Sequence, residues 1–170
     1  MHFSTQLCKA IVPQLDNFDY AILSILQQDN RTPLRTIGEQ VHLSAPAVQR
    51  RIKAMEESGV IAANTALVDP NQVGKSLTIL TEVYIESERL DLLDAIKAAF
   101  VAAPEIQQCY YVTGDADFVL VILVATMAEY DALTRRLFFG NPNVKRFRTL
   151  VALDRIKTGS AVPLPGLSHS

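Results

Sequence analysis

Two segments with the apolar spacing of helices are separated by only four residues, Val41-His42-Leu43-Ser44. The first segment begins at Thr32-Pro33, where Thr is a good N-cap and Pro suits the N1 position. Its inward side carries Leu34, Ile37 and Val41. A link this short permits only a tight turn, so the two helices must cross at a steep angle. The sequence therefore predicts a helix-turn-helix.

The second helix of the pair, Ala45–Ser58, has well-defined ends. Ser44 is a suitable N-cap because its hydroxyl can accept a hydrogen bond from a free amide of the first turn. Pro46 lies in that turn, where its missing N–H costs nothing. Val48, Ile52 and Met55 recur at helical spacing as one buried stripe, and Gly59 is expected to end the helix in a left-handed conformation.

The opposite side of this helix carries Gln49, Arg50 and Lys53. These side chains have the donors that meet base edges and phosphates of DNA. The formal net charge of the chain is −2, so a nucleic-acid binder of this composition must concentrate its basic residues locally. An ordinary solvated helix face has the same residues, and the helix alone leaves that interpretation open.

Three further arginines, Arg31, Arg35 and Arg51, lie in the same small unit. Arg51 is next to the buried stripe, and two roles are open to it: contact with a phosphate, or an internal ion pair with an acid such as Glu39. His42 has no second candidate ligand or base beside it and is interpreted as a surface residue of the turn.

A further helix precedes the pair. Asp16 is its predicted cap, and Asp19 lies in the first turn, where negative charge suits the helix dipole. This helix should end near Gln28–Asn30. Its predicted buried stripe is Phe18, Ile22, Ile25 and Leu26.

The apolar period changes after an extended segment, Val60–Val68, and a turn at Asp69-Pro70-Asn71. Alternation over Leu77–Glu86 predicts a strand. The following segments are a helix from Leu90 to Ala103, strands Ile106–Thr113 and Phe118–Thr126, a helix from Tyr130 to Phe138, and a strand Val144–Ile156. The order β-α-β-β-α-β is that of a ferredoxin-like unit with both helices on one face, so the fold class is α+β.

The other face of this predicted sheet carries Thr78, Leu80, Tyr84 and Leu150. A bare face this apolar is a liability for a monomer, and we expect a second subunit to cover it.

Composition excludes several other classes of protein. With 170 residues, of which 49% are hydrophobic and 20% charged, the chain can form one ordinary domain or two small ones. Cys8 and Cys109 form no CxxC pattern, which disfavours a disulfide framework or zinc site and favours a reducing cytoplasm. The longest apolar run, Phe118–Ala125, is far short of the ~20 residues that span a bilayer, and residues 1–14 hold no signal peptide. We expect no association with membranes.

Five motifs in order resemble the leucine-responsive/asparagine-activation (Lrp/AsnC) family of transcription regulators. The motifs are LDNFDYAILSILQQDNR (Leu15–Arg31), LSAPAVQRRIKAMEESGVI (Leu43–Ile61), ALVDPNQVG (Ala66–Gly74), CYYVTGDADF (Cys109–Phe118) and NPNVKRFRTLVALDRIK (Asn141–Lys157).

The resemblance implies a domain order. It comprises an N-terminal arm (1–14), a winged-helix-like helix-turn-helix DNA-binding domain (15–64), a strand and hinge linker (65–76), a ferredoxin-like ligand-sensing and oligomerisation domain (77–157) and a tail (158–170) that is mobile beyond Pro165. It also implies double-stranded DNA as partner, dimers that assemble into octamers as tetramers of dimers, an amino-acid effector, no cofactor, and a place in the cytoplasm at the nucleoid.

Residue roles follow from the same resemblance. Ala45–Ser58 becomes the recognition helix, with Ala47, Gln49, Arg50 and Lys53 as groove contacts. The full predicted DNA-binding set is Arg31, Arg35, Ser44, Ala47, Gln49, Arg50, Arg51 and Lys53.

The hairpin Thr113-Gly114-Asp115-Ala116-Asp117 resembles the family loop that borders an amino-acid pocket at a dimer–dimer junction. Gly114 permits close approach of a ligand to the backbone, Asp117 can pair with an ammonium, and Tyr111, Phe147 or Leu150 can shape a side-chain pocket. A Gly-Asp turn between strands is also common without any ligand. The predicted effector-binding set is Tyr111, Thr113, Gly114, Asp115, Asp117, Met127, Phe147, Thr149, Leu150 and Val151, and Ala152 matches a further response position.

Three residues depart from the family pattern. Phe118 stands where Tyr is frequent, Phe147 where some members have Thr, and Asn143 where Gly is usual. Asn tolerates a left-handed turn, so this departure is compatible with a turn before Val144.

The leading hypothesis is a sequence-specific, DNA-binding transcription regulator that an amino acid modulates. An architectural DNA-binding protein without an effector is the first alternative. The second is a small-molecule enzyme on the ferredoxin-like half, for which the candidates are Cys109, Tyr110, Asp115 and Asp117. That half contains no histidine and no recognisable catalytic constellation, so we expect no enzymatic activity.

Overall fold

The computed structural model describes residues 14–165. The predicted N-terminal arm up to Pro13 and the tail beyond Pro165 lie outside the described residues. The chain divides into two compact units, one formed by residues 14–66 together with 159–165 and the other by Leu67–Thr158. The described residues contain no helix that is both long and apolar enough to cross a bilayer.

The first unit contains three helices, α1 (Asn17–Gln28), α2 (Leu34–Val41) and α3 (Ala45–Glu57). Their shared core is formed by Ile22, Leu23, Ile37, Val41, Val48 and Met55. The predicted helix-turn-helix is confirmed, and its three helices bury one apolar stripe each.

The start of α1 is a reciprocal capping box. The amide of Asp19 donates to Oδ1 of Asp16 at 2.9 Å, and the amide of Asp16 donates to Oδ2 of Asp19 at 3.0 Å. The buried stripe differs by one position from the predicted one, because Leu23 is buried and Phe18 is 43% exposed. Phe18 instead lies under the guanidinium of Arg51, 5.5 Å from the ring centroid.

The N-cap of α2 differs from the prediction. Pro33 occupies the cap position, and the Thr32 hydroxyl donates backwards to the carbonyl of Asp29 at 2.7 Å. This local bond competes with capping, as is common for threonine, and it closes the turn after α1 instead.

The turn between α2 and α3 is as tight as the sequence requires. His42 has φ 56° and ψ 41°, the only positive φ of a non-glycine residue within 14–165. The amide of Leu43 donates to the carbonyl of Gly38 at 2.9 Å. A Cβ on Gly38 would lie 2.4 Å from the Leu43 oxygen, so the two helices approach at a distance that only glycine permits.

The ends of α3 are as predicted. The Ser44 hydroxyl accepts from the amide of Ala47 at 3.4 Å, and Gly59 has φ 77° after the last turn. The following segment, Val60–Val68, forms no strand and pairs with none of the described strands, so the predicted linker strand is not formed within residues 14–165. A 3-10 turn at Pro70–Val73 follows it, with Oδ1 of Asp69 accepting from the amide of Asn71 at 3.0 Å.

The second unit has the predicted order βαββαβ. Its elements are β1 (Leu77–Ile85), α4 (Leu90–Ala102), β2 (Ile106–Tyr111), β3 (Phe118–Val124), α5 (Met127–Thr134, continued by a π-helical turn Arg135–Phe139) and β4 (Val144–Val151). The strands form one antiparallel sheet in the order β2-β3-β1-β4. The predicted last strand is too long: the final ladder bond runs from Ala152 to Thr78, and Leu153 and Ile156 are fully exposed beyond it.

Both helices pack on one face of this sheet, around three aromatic rings. The ring of Phe100 meets those of Phe118 and Phe138 edge-on, with centroids 5.4 and 6.1 Å apart. Three hydroxyls lie in the same layer: the Tyr130 oxygen is 3.0 Å from that of Thr81 and 2.6 Å from that of Thr149. This chain of hydroxyls links β1, α5 and β4 within the core.

The opposite face of the sheet carries the residues predicted for it. Leu80 pairs with Val121 on one side and with Leu150 on the other. Charged groups cross the same face, which makes it less apolar than expected: Arg148 Nε is 3.1 Å from Glu82 Oε2, and the Arg146 guanidinium lies 3.5 Å from the Tyr84 ring centroid.

Asn143 does not adopt the left-handed conformation that Asn tolerates, since its φ is not positive. Its side chain is 3% exposed; Oδ1 accepts from the Ser87 amide at 3.0 Å and Nδ2 donates to the Ser87 carbonyl at 3.1 Å. A buried amide must satisfy both of its polar atoms, and this one does so by joining the turn before β4 to the turn after β1.

Candidate DNA-binding face and effector site

The exposed side of α3 carries Gln49, Arg50 and Lys53, while Val48 and Met55 are buried on the other side. Within residues 14–165, Gln49 and Arg50 make no side-chain hydrogen bond or ion pair. Lys53 has only a long contact, 3.7 Å, to Glu57 one turn away. Donors on this face are therefore available to an external acceptor.

Arg31 precedes α2 and Arg35 lies in its first turn, and both side chains are almost fully exposed. Arg31 Nε is 3.3 Å from Asp29 Oδ1, and Arg35 Nε is 2.9 Å from Glu39 Oε1. The backbone amide of Arg31, and then its guanidinium, lower the pKa of Asp29. Exposed ion pairs contribute little to stability, so both guanidinium groups can exchange a carboxylate for a phosphate.

Ser44 and Ala47 lie at the start of α3. The Ser44 hydroxyl accepts from Ala47 and keeps its own proton for a further acceptor. Ala47 is half-buried and presents a methyl group beside it.

Arg51 differs from the other basic residues of the unit, because its side chain is only 28% exposed. Its Nη1 donates to Asp19 Oδ1 at 2.8 Å and to Asp16 Oδ2 at 2.9 Å. These two carboxylates raise the pKa of Arg51, with Asp19 the stronger cause. Of the two roles left open by the sequence, the structure shows the internal ion pair. Its acids are Asp16 and Asp19 and not Glu39, which is bonded to Arg35.

Sequence reasoning missed this link between α3 and the start of α1. The signal was available, since a capping box of two aspartates concentrates negative charge that needs a cation. The link fixes the N-terminus of α1 against the helix that carries the candidate DNA-binding face.

The candidate effector hairpin connects β2 and β3. It is closed by the bond from the Val112 amide to the Asp117 carbonyl at 2.9 Å, and Gly114 has φ 127°, where a side chain would be strained. Asp115 is exposed, and its Oδ2 is 3.6 Å from Nη2 of Arg146.

Asp117 has a structural bond that the sequence did not indicate. Its Oδ2 accepts from the Ile85 amide at 2.8 Å, at the irregular end of β1, and its amide donates to the Val83 carbonyl at 3.0 Å. One carboxylate oxygen is thus committed to the fold, and Oδ1 is the oxygen that can meet an ammonium.

Tyr111 lies beside this hairpin with half of its side chain exposed. Its ring packs 5.0 Å from Phe118, and Lys97 Nζ is 4.9 Å from the ring centroid. The pKa of the Tyr111 hydroxyl is raised, mainly by burial and further by the charges of Glu88 and Asp117. The group is neutral and can act as a hydrogen-bond donor.

The predicted effector residues form two groups at opposite ends of the sheet. Register places Phe147 opposite Val83 and Val151 opposite Ile79, so the ends are about 13 Å apart along β1. The hairpin end holds Tyr111, Thr113, Gly114, Asp115, Asp117 and Phe147, and the other end holds Met127, Thr149, Leu150, Val151 and Ala152. One chain does not bring the two groups to a single small-molecule pocket.

Tyr111, Phe147 and Leu150 do not meet within one chain, so a role of any of them in a pocket between chains stays a prediction. Tyr111 lies on edge strand β2, whereas Phe147 lies on the opposite edge strand β4. Phe147 faces the helices, with its ring 4.8 Å from Phe138, whereas Leu150 pairs with Leu80 on the open face. Thr149 also faces the helices, where its hydroxyl bonds to Tyr130.

A depression of about 490 Å³ lies beside the start of β4. It is lined by three aromatic side chains, two basic side chains and three further residues. These are Phe138, Phe139 and Phe147; Lys145 and Arg146; and Asn141, Pro142 and Val144. The π-helical turn Arg135–Phe139 places Phe139 at 5.5 Å from Phe147. Of these residues the sequence singled out Phe147 alone.

Neither unit groups its His, Cys, Asp and Glu side chains as a metal site within the residues described. Cys109 is half-buried in β2, and burial raises the pKa of its thiol, which disfavours the reactive thiolate.

Two family models match the chain, the AsnC-type helix-turn-helix domain over residues 15–56 and the Lrp/AsnC ligand binding domain over residues 78–162. An uncharacterized HTH-type transcriptional regulator of Sinorhizobium fredii is 38% identical over 95% of this chain and 95% of its own length. An AsnC family transcriptional regulator from Agrobacterium tumefaciens has a similar structure, with TM-score 0.83, 30% identity and coverage of 88% and 97% of the two chains. A transcriptional regulator from Neisseria meningitidis, solved as an L-Met complex, gives TM-score 0.84, 26% identity and coverage of 89% and 97%.

Proposed function

Because this chain belongs to the Lrp/AsnC family of transcription regulators, we propose that it reads specific DNA sequences as a dimer or larger assembly and that an amino acid modulates it. The proposal rests above all on α3, which is capped by Ser44, is fixed by its buried face, and presents Gln49, Arg50 and Lys53 to the outside. Arg and Lys can donate to guanine, Gln to adenine, and all three to phosphates.

Self-association is part of the proposal for an electrostatic reason. A chain with net charge −2 and few free cations gains little from the phosphates of one site. The salt dependence of DNA affinity scales with the number of phosphates neutralised, by about −0.9 per contact, so two or more copies multiply a modest contribution. The partly apolar open face of the sheet supports the same conclusion, and a tetramer of dimers is the assembly that we propose.

In a dimer, two copies of α3 would read half-sites about one helical turn apart or a multiple of it. The remaining predicted contacts divide by chemistry. Arg31, Arg35 and Ser44 suit phosphates, and the Ala47 methyl suits the apolar edge of a thymine. Arg51 acts indirectly in this scheme, by holding α3 on Asp16 and Asp19.

The effector is proposed to lie between copies of the chain. The two groups of candidate residues are at opposite ends of one sheet, so a small ligand that contacts both must meet them on different chains. The hairpin group supplies a carboxylate oxygen of Asp117 for an ammonium, and backbone donors near Gly114 for a carboxylate. The L-Met complex of the similar Neisseria regulator supports an amino acid as the ligand class.

Such a ligand regulates by preferring one assembly over another. It shifts the equilibrium only by its difference in affinity for the two states. A ligand site shared between chains binds the ligand more tightly in the assembled state, because the site is complete only there.

We propose that no cofactor and no chemical step are needed, and that the protein acts at the nucleoid in the cytoplasm. The half-buried Cys109 and the bonded Asp117 offer no activated nucleophile or base. The architectural alternative keeps the DNA contacts and omits the effector.

DNA binding is tested with the DNA upstream of the chain's own gene. Arg50→Ala should weaken binding about 5- to 150-fold, the equivalent of one lost bidentate base contact, whereas Arg89→Ala removes an exposed charge from the second unit and should not. Equal affinity for random DNA would favour the architectural alternative. Absence of binding by the dimer at low salt would contradict the proposal.

The effector is tested by a thermal-shift screen of the twenty amino acids, followed by light scattering with each hit. We expect at least one amino acid to raise the melting temperature and to change the mass of the assembly. If none does either, the effector part of the proposal fails and DNA binding stands alone.

A further inference from the structure

The segment 159–165, after the last strand, belongs to the first unit and not to the second. The Gln27 side chain, near the end of α1, meets it twice: Nε2 donates to the Val162 carbonyl at 3.1 Å, and Oε1 accepts from the Val162 amide at 2.6 Å. Leu164 is half-buried against the core of the three helices. The contact is therefore made by both polar and apolar groups.

The chemistry of each side suits the other. A glutamine amide offers one acceptor and two donors and can bond both backbone groups of one extended residue, as a neighbouring strand would. Pro163 and Pro165 each fix a φ angle and reduce the freedom that the segment loses on docking. Gln28, the next residue of α1, makes no side-chain hydrogen bond within the described chain.

The position of this segment in the chain gives the contact its significance. The second unit begins at Leu67 and ends at Thr158, so the chain leaves the first unit by the linker and returns to it after the sheet. Seven residues, 152–158, separate the end of β4 from the docked segment. They span at most about 25 Å when fully extended.

We propose that residues 159–165 are a strap that docks on α1 of its own chain and couples the state of β4 to the DNA-binding unit. The helix-turn-helix is then held at both ends, by the linker and by the strap. A DNA-binding unit that is held twice loses less orientational freedom when it meets its half-site, so the docked strap favours DNA binding.

The strap is suited to release as well as to docking. Both hydrogen bonds are exposed to water, and Val162 itself is 64% exposed. Such contacts belong to the low-stability end of a structure, where local opening is frequent. β4 carries Phe147, Thr149, Leu150 and Val151 of the candidate effector set, so a ligand that shifts the end of β4 acts seven residues from the strap.

Docking is tested by amide hydrogen exchange on the full chain, read by mass spectrometry over the C-terminal peptide. Between Ala161 and Pro165 only three residues carry an amide hydrogen, because two are prolines, so the Val162 signal is little diluted. Gln27→Ala should accelerate exchange of Val162 about 10-fold or more, while the matched variant Gln28→Ala should not. Both changes place a good helix former on an exposed helix position, so both proteins should fold.

Leu164→Ser is the second variant, because it breaks the apolar half of the contact and leaves Gln27 intact. It should also accelerate exchange at Val162. Exchange of Val162 in the unmodified chain at the rate of a free peptide, or equal exchange in the Gln27→Ala and Gln28→Ala proteins, would overturn the docking.

Coupling is tested on the DNA upstream of the gene, and this readout rests on the proposed function. Gln27→Ala and Leu164→Ser should each weaken binding about 3- to 10-fold relative to Gln28→Ala, by loss of the second restraint. Faster exchange at Val162 with unchanged DNA affinity would overturn the coupling. If the unmodified chain binds no DNA, the proposed function fails and with it the coupling, while the exchange experiment still decides whether the strap docks.

Discussion

The two units of this chain are stabilised in different ways. The helix-turn-helix unit has a small aliphatic core and relies on features that are close in sequence, such as the capping box at Asp16, the Ser44 cap and the left-handed turn at His42. The ferredoxin-like unit has a larger aromatic core and a sheet whose pairings join distant segments. The first unit is therefore defined largely by local chemistry, with the link from Arg51 to Asp16 and Asp19 as a long-range addition, and the second by long-range packing.

The largest expected effect tests whether this difference separates the two units energetically. Phe100→Ala should destabilise the ferredoxin-like unit by about 3–5 kcal/mol, because it removes a buried ring that two others meet edge-on. Scanning calorimetry should show the transition of that unit at a lower temperature. The transition of the helix-turn-helix unit should not move, and a common shift of all unfolding would contradict the separation.

The next effect is within the helix-turn-helix unit. Arg51→Met should cost about 1.5–3 kcal/mol, because it removes a charged hydrogen bond to the partly buried Asp19. The neighbouring Arg50→Met should leave unfolding by urea unchanged. If Arg50 proves the more destabilising of the two, the assignment of Arg51 as an internal anchor is wrong.

A smaller effect concerns one long-range bond of the second unit. Asn143→Gly restores the residue that is usual in the family and should nevertheless cost about 1–2 kcal/mol, because both backbone groups of Ser87 lose a buried partner. Denaturant unfolding measures the loss. A neutral or stabilising glycine would show that backbone freedom matters more here than the buried amide.

Substitutions of Asp117 separate its contribution to stability from its proposed contribution to effector binding. Asp117→Asn keeps an oxygen for the Ile85 amide and should change stability by less than about 0.5 kcal/mol, whereas Asp117→Ala should cost about 1–2 kcal/mol. Both variants should lose the thermal shift given by an amino-acid effector, since neither has a carboxylate. Retention of that shift by Asp117→Asn would remove Asp117 from the site.

The smallest effect is electrostatic and depends on pH. Lys75, and then the Ala125 amide, lower the pKa of Glu129 below its ordinary value of 4.5. A pKa that is lower in the folded state adds stability that is complete above pH 4.5 and is lost as the pH falls through the folded value. Glu129→Gln should therefore flatten acid unfolding slightly, and high salt should reduce the difference. Equal acid unfolding curves at low salt would show that the pair contributes nothing.

The success of prediction from sequence follows the distinction between local and long-range contacts in both units. Ser44, Pro46 and Gly59 act within a few residues of their own position, and the ends of α3 were predicted from them. Phe18 was assigned to the core because its spacing suits a buried stripe. Its exposure depends on Arg51, which is 33 positions further along the chain. The spacing of apolar residues cannot predict the exposure of a side chain that is set by a partner distant in sequence.

The effector site shows the same limit more strongly. The order of strands was predictable, but the separation of Phe147 from Leu150 depends on which face each residue of β4 occupies, and therefore on register. Asn143 suggests only a turn from its local sequence, because its half-buried partner, Ser87, is 56 positions away. No local pattern indicates a bond across that distance.

The close approach at Gly38 has a consequence for how proteins of this kind can diversify. Any side chain there would push α3 away from α2, since its first carbon would meet the Leu43 oxygen. Gln49 and Arg50, by contrast, can change freely because nothing within the described unit depends on their side chains. Under the proposed function, in which Gln49 and Arg50 contact bases, mutation can therefore alter the DNA sequence that is read without altering the angle at which α3 is presented. The proposed contacts thus make new operators accessible by single substitutions, whereas a new docking angle of α3 requires a change at Gly38 that the Leu43 oxygen opposes.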